Sequence, residues 1–176
     1  MQPSTAGDVP AFSPDDARTL RAAFGQFPTG VAVVTVPTTD GTHAGMTISS
    51  FNTVSLDPPL VLFSVRRGSA MLPLLVDAPS YAINVLSEEQ THLSNHFARS
   101  DSRQWNDIAF RHGHLGAALL DDALLSLECR HFARYDGGDH VIVVGQVIHG
   151  SIKEQAQPLI FFRGQYHAVA SPRTAS

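Results

Sequence analysis

The sequence predicts a mostly β fold, an antiparallel barrel with a few peripheral helices. Short β-branched or apolar runs recur along the chain, at residues 31–36, 60–65, 81–86 and 140–149. Turn signals separate them, at Asp40-Gly41, Asp57-Pro58-Pro59 and Asp136-Gly137-Gly138. The strands do not alternate regularly with helical stripes, as a doubly wound parallel sheet would require.

Ser13-Pro14-Asp15-Asp16 reads as a helix start. Ser13 can cap, Pro14 suits the first helical position, and the two acids favour the positive end of the helix dipole. Leu20, Ala23, Phe24 and Phe27 give an apolar stripe, which Pro28-Thr29-Gly30 ends. Residues 31–36 form a buried strand, and residues 46–51 return beside it. Val54-Ser55-Leu56 leads to the rigid extended corner Asp57-Pro58-Pro59, and residues 60–65 make a further strand. Ser69 starts a short helix over residues 70–76, which ends before Pro79. Residues 81–86 are a strand, and Ser87-Glu88-Glu89-Gln90 matches a capping box that opens a helix to Ala98. Residues 99–116 are polar and irregular, anchored by Trp105 and Phe110. Residues 123–135 and 140–149 are long strands around the Gly137-Gly138 turn, and residues 159–162 and 166–169 complete the set.

The length of 176 residues suits one domain, expected over residues 13–170 between mobile tails at 1–12 and 171–176. Such a domain buries roughly 68–70% of its unfolded-chain surface and needs no staple. One Cys excludes an internal disulfide and a thiolate metal cluster. A net charge of −4 argues against nucleic-acid binding, which needs a basic face. The N-terminus has neither the basic nor the apolar region of a signal peptide, and no apolar run approaches the ~20 residues of a membrane span. A soluble, cytoplasmic protein with no membrane partner is expected. Charged residues make up 16% of the chain, against roughly 25% in average domains, so another chain or a ligand is expected to cover part of the surface.

No G-x-G-x-x-G, P-loop or G-x-S-x-G motif is present. His92 and His96 have the spacing of two metal ligands, but the glutamate of H-E-x-x-H is missing and no third ligand is evident. These histidines, and His112 and His114, read as polar surface residues, and no metal is expected. Cys129 reads as a small buried hydrophobe. Three other stretches stand out. Gly45-Met46-Thr47-Ile48-Ser49-Ser50-Phe51 carries three hydroxyls in four residues. They suit the polar edge of a flat heterocycle, or equally a strand terminus satisfied by its own backbone. Ser64-Val65-Arg66-Arg67-Gly68-Ser69 runs a strand into two guanidiniums and a helix-start Ser. It is either a phosphate cradle or a solvated basic turn. With the whole chain acidic, any phosphate capture there must be local. In Gly137-Gly138-Asp139-His140 the histidine stands at a strand edge, as a ligand contact or a plain turn residue.

In order, these stretches resemble the flavin reductase family, specifically the short-chain reductase components of two-component flavin-dependent monooxygenases. The matching segments are Phe27-Pro28-Thr29-Gly30-Val31, residues 45–51, Val54-Ser55-Leu56-Asp57-Pro58-Pro59-Leu60-Val61 and Tyr81-Ala82-Ile83-Asn84-Val85-Leu86. They continue with His96-Phe97-Ala98, Leu127-Glu128-Cys129-Arg130, Gly138-Asp139-His140 and Phe162-Arg163-Gly164-Gln165-Tyr166. The resemblance covers residues 17–169. It implies a split β-barrel (an FMN-binding, Greek-key-like antiparallel barrel) that works as a homodimer. It assigns Thr47, Ile48, Ser49 and Ser50 to the isoalloxazine edge, and Ser64, Arg66 and Ser69 to the flavin phosphate. Phe97, Ala98 and Arg99 form the flavin-contacting helix end, and Thr29, Gly30, Val65 and Asp139 join the cofactor-binding set. His140 is the nicotinamide-side, catalytic candidate, and Tyr166 lies near the site. The implied cofactor is FMN or FAD, with NADH or NADPH as co-substrate, and the implied partner is a monooxygenase that receives reduced flavin. The alternatives are a non-enzymatic flavin carrier or sensor on the same barrel, and a metal hydrolase using His92 and His96.

Overall fold

The computed structural model describes residues 11–99 and 105–169. After α1 (Ala17–Phe24) come β1 (Thr29–Gly30), β2 (Ala32–Pro37), β3 (His43–Ile48), β4 (Asn52–Leu56) and β5 (Pro59–Arg66). Then follow α2 (Met71–Asp77), β6 (Ser80–Val85), a 3-10 turn (Glu88–Gln90) and α3 (Thr91–Phe97). The chain ends on β7 (Phe110–His112), β8 (Ala118–Leu120), β9 (Leu125–Gly137), β10 (His140–Ile152), β11 (Ile160–Phe162) and β12 (Gln165–His167). The fold is mostly β, and its paired strands are antiparallel: a seven-stranded sheet ordered β3-β2-β6-β9-β10-β5-β4, a three-stranded sheet β1-β11-β12 and the β7-β8 hairpin.

The two edges of the large sheet, β3 and β4, are consecutive in the chain and joined only by Ser49, Ser50 and Phe51. Laid flat, seven strands would hold their edges about 29 Å apart. The link from Ile48 to Asn52 reaches about 14 Å at full extension. The sheet is therefore strongly curled.

β2 is buried on both faces, which explains its mostly apolar sequence; its one hydroxyl, Thr35, donates to the Ala118 carbonyl at 2.6 Å. Val34 and Val36 join Phe63, Val65, Ile83, Cys129, Val143 and the α2 residues Met71 and Leu75 in one core cluster. Val31 and Val33 join Leu86, Leu93, Phe97, Leu120 and Leu159 in another. Cys129 is fully buried, and burial first, then the charge of Glu128, pushes its thiol up to about 12, so it packs rather than reacts. Beside the second cluster Asn84 on β6 forms a buried polar hub. Its Oδ1 accepts from the Leu120 N–H and the Ser126 hydroxyl, each at 3.0 Å. Its Nδ2 donates to the carbonyls of Val33 and Ala118, each at 3.3 Å.

Several predicted boundaries move. α1 begins at Ala17 with Asp16 as its cap, accepting from the Arg18 N–H at 3.0 Å, so Ser13 and Pro14 precede the helix. The Asp16 carboxylate offers a stronger acceptor than a Ser13 hydroxyl and also takes the Thr19 hydroxyl at 2.5 Å. α1 buries no residue, and Phe24 and Phe27 are 69% and 75% exposed. The returning strand starts earlier and ends sooner than predicted, leaving Ser49, Ser50 and Phe51 outside it. Asp57-Pro58, with a cis peptide, is the turn of the β4–β5 hairpin rather than an extended corner. β1, β4, β7 and β8 were not foreseen. The capping box is present, with the Gln90 side chain accepting from the Ser87 N–H at 3.1 Å, but it opens the 3-10 turn ahead of α3. The expected tails lie outside the described residues except Ala11 and Phe12. Among the described residues no helix is long and apolar enough to cross a membrane, and no group of three or more His, Cys, Asp or Glu side chains is arranged to hold a metal.

Replacing Asn84 with Leu orphans the Leu120 N–H and the Ala118 and Val33 carbonyl contacts. We expect a loss of about 2–4 kcal/mol in denaturant unfolding; a loss below about 1 kcal/mol would show that the hub is dispensable.

Candidate functional site

The curl brings β3, the end of β5, the start of α2 and the end of α3 around one cavity of about 420 Å³. Its walls are apolar where Met46, Met71, Leu74 and Phe97 face it. Among the described residues, its charged lining groups are Arg66 and Arg99, and no carboxylate lines it. In a chain of net charge −4, this is the local cationic pocket that anion capture requires.

Close approach shapes the wall between β3 and α3. A Cβ on Gly45 would lie 2.5 Å from two atoms of the Phe97 ring, so glycine lets the ring lie against the strand. Phe97 is 1% exposed and is braced behind by Trp105, with ring centroids 5.1 Å apart. The Thr47 hydroxyl donates to the Ser94 carbonyl at 2.7 Å. Ser94 Oγ shares a 2.8 Å bond with the Tyr166 hydroxyl, which also donates to Asn95 Oδ1 at 3.2 Å. Tyr166 thus ties β12 to α3 and fixes the wall; it is not a lining residue.

At the other wall, β5 delivers Arg66 opposite His140 in the β5–β10 ladder. The next residue, Arg67, is held by the turn: it donates to the Gly138 carbonyl at 2.8 Å and pairs with the Asp136 carboxylate. Of the two guanidiniums, Arg66 is the one that reaches the cavity. Gly138 takes a left-handed φ of 73°, which makes the turn possible. The turn sets Asp139 Oδ1 2.7 Å from His140 Nδ1. The hydrogen bond from His140 holds the Asp139 carboxyl below its usual range, aided by the charges of His140 and Arg66. Ser69 Oγ accepts from the Met71 N–H at 3.2 Å and lines the cavity beside Gly68.

The structure therefore brings Thr47, Arg66, Ser69, Phe97, Ala98 and Arg99 to one cavity, with Asp139 and His140 at its Arg66 side. The other predicted residues stand elsewhere. Ile48 and Val65 put their side chains in the core. Ser50 Oγ accepts from the Ser64 N–H at 3.0 Å, bridging the β3–β4 link to β5, and Ser49 is exposed beside the buried Ile48. Thr29 and Gly30 pair with Phe161 and Ile160 of β11. The lining contributions of Met46, Met71 and Leu74 were missed: an apolar residue in a strand or short helix reads as core, and nothing in its spacing marks it as a cavity wall. A second cavity, of about 270 Å³, lies by the β7–β8 hairpin and has mixed charge, with Arg111, His112, His114 and His149 beside the buried Glu128.

Residues 24–170 match the family model described as the flavin reductase like domain. The chain belongs to the flavin reductase family. It is 40% identical over 152 residues to the FMN reductase (NADH) SmoA of Agrobacterium fabrum, covering 86% of each chain. It is 34% identical over 159 residues to HsaB of Rhodococcus jostii, a flavin-dependent monooxygenase reductase subunit, covering 90% of this chain and 81% of the relative. The structure of the Streptomyces globisporus NADH:FAD oxidoreductase SgcE6, in complex with NAD and FAD fragments, is similar with a TM-score of 0.90 and 36% identity, over 94% of this chain and 100% of that one.

Gly45→Ala tests the packing of this flavin reductase wall. We expect displacement of Phe97, a shift in the emission of Trp105, the single tryptophan, and a stability loss of about 1–3 kcal/mol from overpacking. Unchanged emission and stability would contradict the close approach.

Proposed function

We infer that this protein is an NADH-dependent flavin reductase that transfers hydride from the nicotinamide to FMN or FAD and supplies the reduced flavin to a flavin-dependent monooxygenase component. The observation that carries this reading is the cavity itself: apolar walls from Met46, Met71, Leu74 and Phe97, with Arg66 and Arg99 as its charged lining groups among the described residues. That donor set fits a flat ring with a phosphate tail. The named relatives add NADH, FMN and FAD, and membership of a monooxygenase system.

Bound flavin supplies the hydride acceptor; the chain's task is to hold, orient and shield. Arg66 and Ser69 take the phosphate. Phe97 and Met46 seat the ring, with the β3 backbone around Thr47 at its polar edge, since the Thr47 hydroxyl proton is committed to Ser94. Asp139 accepts from His140 Nδ1–H, which leaves Nε2 to meet the nicotinamide carboxamide. Hydride transfer needs no proton in the same step, so His140 positions rather than protonates. Micromolar flavin affinity, about −8 kcal/mol, suffices for a product that must leave, so no separate dinucleotide domain is required.

The short β3–β4 link supports a split barrel as the form of the curled sheet. The exposed Phe24 and Phe27 and the 16% charged content support a homodimer over this face. Residues 13–170 act as one unit, and a cytoplasmic location goes with NADH as co-substrate.

The deciding experiment mixes the protein with FMN or FAD and NADH and follows NADH absorbance. We expect flavin-dependent turnover; bound flavin without turnover would favour the carrier or sensor reading. Arg66→Ala removes a charge-assisted bond and is expected to raise the flavin KM about 10–100-fold with kcat little changed. An unchanged KM would remove Arg66 from the phosphate site. His140→Ala is expected to raise the NADH KM while sparing the flavin KM; unaltered NADH kinetics would exclude it.

A further inference from the structure

The chain has three methionines, and the two beyond Met1, Met46 and Met71, both line the same cavity. They differ in access: Met71 is 8% exposed, whereas Met46 is only half-buried. The Met46 sulfur accepts a hydrogen bond from Ser69 Oγ at 3.7 Å, and that same oxygen accepts from the Met71 N–H. The remaining sulfur of the described residues, Cys129, is fully buried and held as a thiol.

We propose that Met46 is a peroxide-sensitive modification site, whose oxidation to the sulfoxide weakens flavin binding and throttles the reductase. The proposal rests on the flavin reading above. Reduced flavin that no oxygenase consumes passes two electrons and two protons to dioxygen, giving oxidised flavin and hydrogen peroxide. The Met46 sulfur lone pair attacks one peroxide oxygen and the O–O bond breaks. That oxygen becomes the sulfoxide oxygen, and the other leaves with both protons as water. Sulfur loses two electrons and peroxide gains them.

The product changes the wall in two ways. A flexible apolar thioether becomes a polar group on the surface that seats the ring. The sulfoxide oxygen is also a far better acceptor than the thioether, so it holds the Ser69 hydroxyl and withdraws it from the phosphate. Both effects fall on flavin affinity. The reductase would thereby slow when its product is being wasted on oxygen, and methionine sulfoxide reductases would restore it.

The test treats the protein, free of flavin and NADH, with dilute hydrogen peroxide. Peptide mass spectrometry follows oxygen addition at Met46 and Met71, and fluorescence titration gives the FMN and FAD Kd before and after. We expect Met46 to gain one oxygen well before Met71 and the flavin Kd to rise about tenfold. Treatment with methionine sulfoxide reductases should reverse the rise. Met46→Leu, compared with itself before and after peroxide, should keep its Kd. Met46 staying a thioether while free methionine in the same solution oxidises would overturn the proposal. So would full Met46 sulfoxide with an unchanged Kd. A protein that binds no flavin before treatment would instead fail the reductase reading, and this proposal with it.

Discussion

The rest of the molecule depends on the shortness of the Ser49-Ser50-Phe51 link. It joins the two edges of a seven-stranded sheet, and a flat sheet would set those edges about twice as far apart as the link can reach. Curling is the only solution, and it produces the site. β3 and β5 are separated by four strands in the sheet order, yet Gly45, Met46 and Thr47 from one line the same cavity as Arg66 from the other. Ser50 helps hold the curl by accepting from the Ser64 backbone.

Within that frame the cavity is held by interactions that leave its surface simple. Polar commitments lie behind it: Thr47 to Ser94, Ser94 to Tyr166, Arg67 to the Gly138 turn. What remains facing inward among the described residues is apolar surface, two guanidiniums and the Ser69 hydroxyl. A carboxylate on this wall would cancel the cradle, and Asp139, the acid at its Arg66 side, is bonded to His140. The same economy leaves the Met46 thioether partly exposed on that wall.

Much of this was legible in the sequence. β-branched or apolar runs disclosed β2, β5, β6 and β10, because β2 and β6 are buried nearly throughout and β5 and β10 are buried in their central residues. The Arg66–Ser69 stretch and the Gly138-Asp139-His140 turn were recognisable because guanidinium, hydroxyl and turn glycine carry chemistry on their own. The two-residue β1 and three-residue β7 and β8 were not, since such short strands exist only through their tertiary partners. The start of α1 was misplaced because Ser13 followed by Pro14 reads as a cap, whereas the stronger Asp16 acceptor, which also takes the Thr19 hydroxyl, is the one that caps the helix. Met71 and Leu74 were invisible as lining residues, because an apolar side chain facing a cavity has the same local pattern as one facing the core.

The most direct test of this account is a crystal structure of the protein with bound FMN or FAD. The ring should lie against Met46 and Phe97, with its phosphate within hydrogen-bonding distance of Arg66 and Ser69. Flavin seated in the smaller cavity of Arg111, His114 and His149, with the larger one empty, would contradict it.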